Sequence, residues 1–402
     1  MKYIVLVGDG MGDYPIAELG GKTVLAAAHT PHMDWIADHG ELGLATTIPH
    51  GCETGSDTAN LSLLGYDPRT AQTRRSPLEA ASLGVHLMPA DVAFRCNLVT
   101  LSEQDDALRM DDYSAGHIST DEARHLIKDL DKGLGNERFR FYPGVSYRHL
   151  MVWHGGTQDV NTTPPHDISG QAVQPSLDRM APQRTLLELM DGAHAILKDH
   201  PINQTRVGKG LKPANHIWFW GQGHAPKLEA FKERTGLTGA IISAVDLLRG
   251  IGVYVGLDVI HVPGATGYFD TDYEAKARYA LSALKDVDFV YVHVEAPDEA
   301  GHAGLLKEKT AAIEAFDAKV VGKVLEGVQD LGEHRIMVTT DHYTPISVKT
   351  HTREPVPFAI CGTGVSSPSD KSGGFSEVEA EGRGLFIADG HRLMERFIRR
   401  QK

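Results

Sequence analysis

Residues 290–302 read Val-Tyr-Val-His-Val-Glu-Ala-Pro-Asp-Glu-Ala-Gly-His, and residues 336–342 read Ile-Met-Val-Thr-Thr-Asp-His. In both, a β-branched and apolar run of the kind buried in a parallel sheet stops abruptly at carboxylates and imidazoles. Open α/β sheets hold their ligands at the carboxyl ends of the strands, so two such endings predict the fold class and the place of its chemistry together. Asp298 and His302 stand four apart and share one face if the turn after Pro297 is helical. Asp341 and His342 are adjacent, which splays two donors to either side of a strand end, and His351 follows nine residues later. Aspartate oxygens mixed with histidine nitrogens, with no cysteine among them, suit Mn²⁺ or Zn²⁺. These five groups exceed the need of one four-coordinate ion, so two metals are expected.

Working outward, residues 3–8 form another continuous apolar run, and it ends in Gly-Asp-Gly-Met-Gly-Asp at 8–13. Asp9 alone would be an ordinary turn aspartate. Beside Asp298 and Asp341, which also end strands, it becomes a sixth ligand. A strand expected at 43–48 leads into a glycine-rich stretch in which Ser56 stands just before a helix expected at 59–64. Free amides and the helix dipole at such a start favour an anion. With a metal on its oxygen, Ser56 loses its proton more readily and becomes a nucleophile that needs no histidine base. Without one, Ser56 or Asp57 is simply the helix cap. No G-x-S-x-G elbow occurs, and Gly21-Lys22-Thr23 lacks the earlier glycine of a phosphate loop because position 16 is Ile16. Gly221 and Gly223 begin a dinucleotide-like pattern that Pro226 interrupts.

A helix is expected at 31–39, with Thr30 as its cap and Pro31 in its first turn. From residue 91 the texture changes to antiparallel strands and helices: strands near 91–101, 138–143 and 147–153, and helices near 120–132 and 182–199. Arg95, His117 and Arg148 are the candidates there for holding an anionic substrate, since arginine's fork matches phosphate and carboxylate. The α/β rhythm resumes at 215, with strands expected at 239–243, 259–262, 288–294, 336–339 and 357–361. Helices are expected between them at 244–251, 273–284 and 307–331, and a last one at 391–400. That succession predicts an α/β protein whose parallel sheet core carries helices on both faces, plus an inserted smaller α+β domain. The expected division is 1–92 and 206–402 for the catalytic metal-binding domain and 93–205 for the inserted substrate-binding or lid domain, since 402 residues exceed one ordinary core. A net charge of −13 disfavours nucleic acid and anionic membrane as partners. No uncharged apolar run reaches membrane-spanning length, and three scattered cysteines fit a reducing, cytoplasmic location.

Taken together, Asp9, Ser56, Asp298, His302, Asp341, His342 and His351 resemble the metal site of the alkaline phosphatase superfamily of binuclear metalloenzymes. The chain is more closely similar to the archaeal-type phosphoglycerate mutases that work without 2,3-bisphosphoglycerate. The resemblance runs through 8–11, Gly-Ser-Asp-Thr-Ala-Asn-Leu-Ser-Leu-Leu-Gly-Tyr-Asp-Pro at 55–68, Asp-Val-Ala-Phe-Arg-Cys-Asn at 91–97, 294–302 and 340–342. It implies one metal held by Asp298, His302 and His351, and a second held by Asp9, Ser56, Asp341 and His342. Mn²⁺ is the first expectation, with Zn²⁺, Co²⁺ or Mg²⁺ as the others. Ser56 would carry the phosphoryl group as phosphoserine between 3-phosphoglycerate and 2-phosphoglycerate, in a site closed to water. A loose alignment adds Lys212 as a phosphate contact. Residues 112–119 and 218–223 are similar to a bacterial subgroup also proposed to be homoserine kinases, so a phosphotransferase acting on homoserine is the alternative, with a metal-dependent phosphomonoesterase as the other. One departure bears on substrate: where relatives usually read Gly-Arg-Gly-Pro, this chain has Arg74-Arg75-Ser76-Pro77.

Overall fold

The computed structural model describes residues 1–71, 73–366 and 373–399. It divides into two compact units, one of Met1–Gln72 with Lys227–Lys402 and one of Thr73–Pro226. Among the described residues no helix is long and apolar enough to cross a membrane.

The first unit is built on an eight-stranded sheet. At its centre the Lys2–Gly8 strand lies between Phe289–Val294 and His334–Thr339, parallel to both. Gly239–Ile242 and then Asp258–Val259 extend the sheet in the same sense. Alternation along a strand sends successive side chains to opposite faces. Ile4, Leu6, Val290, Val292, Ile336 and Val338 join one apolar core with Met33, Ile36, Phe316 and Val320 from the helical segments Pro31–Asp38, Leu306–Phe316 and Asp317–Val321. On the other face Tyr3 packs edge-on against Phe397, Phe231 against Phe289, and the Tyr291 hydroxyl bonds Asn60 of the Ser56–Leu63 helix. Helices therefore cover both faces.

One strand departs from the parallel pattern: Val356–Gly362 runs antiparallel to both His334–Thr339 and Gly40–Ala45. No crossover helix separates it from His334–Thr339, and without one a strand can only return. The strand expected at 43–48 is Gly40–Ala45. The cap of the Pro31–Asp38 helix also differs. Thr30 makes no cap bond; instead the buried Asp317 carboxylate accepts the amides of His32 (3.2 Å) and Met33 (2.7 Å). Of the helix expected at 391–400, Leu393–Ile398 is α-helical and residue 400 lies outside the described residues.

The second unit carries a five-stranded antiparallel sheet, with its own core around Phe94, Leu98, Trp218 and Phe219. Its extent corrects the boundaries expected at 93 and 205. The strand His216–His224, read from sequence as the return of the α/β rhythm, pairs antiparallel with Val92–Gln104. At the other end the Arg75–Ser82 helix belongs to the same unit, and its buried Ser76 hydroxyl donates to the Gly221 carbonyl at 2.5 Å. The departure at 74–77 is thus a helix start anchored to that strand. The segments Phe139–Val145 and Arg148–Trp153 pair antiparallel as their alternation predicts.

Candidate metal and phosphoryl-transfer site

Register brings the carboxylates together. In the parallel pairing Val7 lies opposite His293 on one side and Thr339 on the other, so the residues just past the strand ends, Asp9, Glu295 and Asp341, leave the sheet at one edge. The Asp9 amide still bonds the Val294 carbonyl at 2.9 Å. The turn that follows requires glycine at position 10. Its φ is +62°, and a Cβ there would stand 2.7 Å from Asp298 Oδ1 and 2.9 Å from Asp298 Cα. Residues 296–303 are helical as the spacing requires, with Asp298 and His302 on one face.

Two sets of donors result. His302 Nε2 lies 3.2 Å from Asp298 Oδ2, His351 Nε2 3.6 Å from Asp298 Oδ1, and the two imidazole nitrogens are 2.9 Å apart. His342 Nε2 lies 3.1 Å from Ser56 Oγ, 3.4 Å from Asp9 Oδ1 and 3.5 Å from Asp341 Oδ2. Ligand atoms of Asp298, His342 and His351 all fall within 4.8 Å of one another, so His342 stands between the two sets. All seven residues predicted from sequence as ligands are thus assembled in the first unit. Ser56 opens its helix, but Gly55 occupies the cap position, so neither Ser56 nor Asp57 has the ordinary capping job.

The surrounding residues fix these groups. Asp341 Oδ1 accepts the amides of Gly10 (3.1 Å) and His342 (2.9 Å), and its Oδ2 accepts Asn60 Nδ2 at 2.8 Å. The Thr344 hydroxyl bonds Asp298 Oδ1 and lies 3.2 Å from His342 Nδ1. Lys309, fully buried, donates to Asp13 Oδ2 (2.8 Å), the Gly12 carbonyl (3.0 Å) and the Thr344 carbonyl (2.9 Å), tying the loop after Asp9 to the loop after His342.

Electrostatically the cluster holds protons that a cation would displace. Burial, reinforced by Asp341 and Asp298, pushes Asp9 well above the usual carboxylate range. Burial works the same way on Asp298 but loses to hydrogen bonds from His302 and His351 and to the charges of His342 and His351, so Asp298 sits well below that range. Asp341 is likewise lowered, with His342 and His293 outweighing burial. His302 is raised to about 9, chiefly by its bond to Asp298, while burial lowers His342.

The residues fit divalent ions. Asp9 Oδ1 and His293 Nε2 are fully buried and have no hydrogen-bond partner, a cost that a bound cation removes. Two imidazole nitrogens facing each other at 2.9 Å, within reach of a carboxylate, are likewise the arrangement of shared ligands.

Sequence reasoning passed over His293. It lies inside the Phe289–Val294 strand, with Nε2 3.2 Å from Asp9 Oδ2 and 3.8 Å from Asp341 Oδ2. It also passed over Arg353, which borders an open cavity of about 620 Å³ lined by residues 50–54 of the loop before Ser56. Its alternation with Phe289 and Tyr291 on one face was the available signal for the first; its place two residues after His351 was the signal for the second.

The four predicted substrate contacts all lie in the second unit. Arg95 stacks over Trp220 at 4.5 Å and donates Nε to Glu79 at 2.9 Å. His117 and Arg148 both lie against Tyr147, at 6.1 Å and 5.4 Å. Lys212 is committed to the carboxylate and carbonyl of Asp111, each at 3.0 Å. His117 ends a strained turn in which Ala115, Gly116 and His117 have φ of 49°, 65° and 49°. The buried Arg206 clamps that turn, with Nη2 on the Ala115 carbonyl (2.7 Å), Nε on the Lys212 carbonyl (2.9 Å) and Nη1 on Glu122 (2.7 Å).

Comparison with known proteins agrees with this architecture. The family model described as 2,3-bisphosphoglycerate-independent phosphoglycerate mutase matches residues 37–203. A probable 2,3-bisphosphoglycerate-independent phosphoglycerate mutase of Geobacter sulfurreducens is 55% identical and covers 100% of both chains. A 2,3-bisphosphoglycerate-independent phosphoglycerate mutase of Methanosarcina barkeri is 53% identical over 95% of each chain. Among solved structures, a protein of Pyrococcus horikoshii superposes with a TM-score of 0.84 at 33% identity, covering 100% of this chain and 98% of that one. The cofactor-independent phosphoglycerate mutase of Thermoplasma acidophilum does so with a TM-score of 0.69 at 28% identity, covering 99% of each. With relatives this similar along its whole length, the chain belongs to the 2,3-bisphosphoglycerate-independent phosphoglycerate mutases.

Proposed function

We propose that this protein interconverts 3-phosphoglycerate and 2-phosphoglycerate through a phosphoserine at Ser56. The observation that carries the reading is the position of Ser56 Oγ at the start of its helix, 3.1 Å from a nitrogen of His342 that also faces Asp9 and Asp341. Asp298, His302 and His351 would hold one divalent ion, and Asp9, Ser56, Asp341 and His342 a second. Oxygen and imidazole donors without thiolate favour Mn²⁺, with Zn²⁺, Co²⁺ and Mg²⁺ as substitutes. When bound, the ions supply the positive charge that favours the Ser56 alkoxide and balances the phosphoryl oxygens in transfer.

The chain's own residues do the rest. Ser56 Oγ forms a bond to phosphorus as the bond to the 3-oxygen of the glycerate breaks, and the proton that Ser56 gives up ends on that 3-oxygen. The glycerate turns and its 2-hydroxyl attacks the phosphoserine; the bond from Ser56 to phosphorus breaks, and the proton of the 2-hydroxyl ends on Ser56 Oγ. Free amides of the first helical turn favour the transferred anion. Arg353, beside the cavity that the loop before Ser56 borders, would receive the substrate's carboxylate. Arg95, His117, Arg148 and Lys212 remain the second unit's candidates for the glycerate.

The test uses protein stripped with chelator and reloaded with Mn²⁺, incubated with 3-phosphoglycerate while 2-phosphoglycerate and free phosphate are followed together. Metal-dependent 2-phosphoglycerate with little free phosphate, lost in Ser56→Ala, is the expected result. Phosphate alone would make it a phosphatase. Transfer from ATP to homoserine, with neither of those products, would overturn the mutase reading.

A further inference from the structure

We propose that His293 is a further protein ligand of the ion held by Asp9 and Asp341, bound through its Nε2; the inference rests on the two-metal reading of the site. His293 is completely buried, and its Nε2 has no hydrogen-bond partner. That nitrogen points between two carboxylates, 3.2 Å from Asp9 Oδ2 and 3.8 Å from Asp341 Oδ2. Metal–ligand bonds of about 2.0–2.2 Å place neighbouring ligand atoms on one ion about 3 Å or slightly more apart. The three side chains offer ligand atoms that all lie within 4.8 Å of one another.

The far side of the ring is arranged as a ligand's would be. His293 Nδ1 lies 3.2 Å from Glu295 Oε1, and the other oxygen of Glu295 accepts from Lys276 Nζ at 2.7 Å. Lys276 also donates to the His293 carbonyl at 2.9 Å, while Ser243 and the Ala244 amide bond the same Glu295 oxygen that faces the ring. A carboxylate on one ring nitrogen fixes the tautomer in which that nitrogen carries the proton and the other is free to ligate. Lys276 balances the charge of Glu295, so the buried carboxylate needs no proton from elsewhere. A structural histidine would instead spend both nitrogens on well-aligned hydrogen bonds, whereas this Nε2 forms none and only faces Asp9 Oδ2 at ion-pair distance.

Protein labelled with ¹⁵N-histidine, stripped and then given two equivalents of Zn²⁺, tests this without any substitution. Four metal-shifted ring nitrogens are expected, from His302, His342, His351 and His293. Three would overturn the inference and leave the two-metal reading standing, whereas none would sink that reading itself. The assignment is made with His293→Gln, which should remove one shifted signal and weaken the second Mn²⁺ equivalent by more than 100-fold in titration calorimetry. Loss of an outer partner alone costs roughly 10–100-fold. Wild-type affinity in a folded His293→Gln protein would refute the proposal. If that variant does not fold, the count in the unsubstituted protein decides.

Discussion

Lys309→Met is the perturbation that most directly tests how the loops of the site are held. The ammonium is fully buried and satisfies three oxygens, of Asp13, Gly12 and Thr344. Burial pulls its pKa down even against the charge of Asp13, so desolvation costs more than its partners return. A pair of this kind contributes little against an apolar pair but is expensive to break, about 3–5 kcal/mol, because one charge is left alone. Here Asp13 keeps the amides of Tyr14 (2.8 Å) and Ile346 (3.2 Å), which places the cost near the lower end, about 3 kcal/mol. For a unit of this size that is a fall of roughly 6–12 °C in Tm. The loops freed are those that carry Gly10 and Thr344, so Mn²⁺ affinity should fall alongside stability. Scanning calorimetry and Mn²⁺ titration of Lys309→Met, Asp13→Leu and the double variant form the assay. The double variant should recover at least half of the loss suffered by either single one. A loss under about 1 kcal/mol for Lys309→Met, or a double variant as unstable as the sum, would refute the argument.

Three other outcomes follow from the geometry. His302 is raised to about 9 in the metal-free protein by Asp298, so its pairing stabilises fully below the ordinary pKa of about 6.5 and is lost as pH rises through about 9. A cation must displace that proton, so Mn²⁺ affinity at Asp298 and His351 should rise about tenfold per pH unit between about 6.5 and 8.5, read by calorimetry, and should flatten in His302→Ala. Arg206→Lys removes the fork that clamps the turn of Ala115, Gly116 and His117, and should cost the second unit about 1–3 kcal/mol while raising KM for 3-phosphoglycerate more than it lowers kcat. His149 is held by burial at about 3, so the unfolded chain binds a proton first as pH falls below about 6.5; stability is lost from there down to about 3, about 2 kcal/mol by pH 5. His149→Asn, which can still accept from the Gly144 amide, should remove that part of the acid sensitivity in denaturant titrations at several pH values.

What was legible in the sequence follows from which interactions are local. The strands Lys2–Gly8, Phe289–Val294 and His334–Thr339 announce themselves because buried parallel strands are apolar throughout and stop where the chemistry starts. The direction of Val356–Gly362 was not legible, because a wholly buried run reads alike both ways and its sense is set by distant partners. The same holds for His216–His224, whose Trp-Phe-Trp run looks like a core strand until Val92–Gln104 claims it for the other sheet. Asp9, Asp298 and Asp341 were found because they follow strand ends, whereas His293 was missed because it lies within one. Yet the Phe289–Val294 strand alternates: Val290, Val292 and Val294 enter an aliphatic core, while Phe289, Tyr291 and His293 take the other face. A strand buried on both sides has no need of a hydroxyl and an imidazole on one of them. Their presence there marks the face toward which Asn60, and with it the Ser56 helix, is turned. The side of the sheet that carries the chemistry could therefore have been read from six consecutive residues.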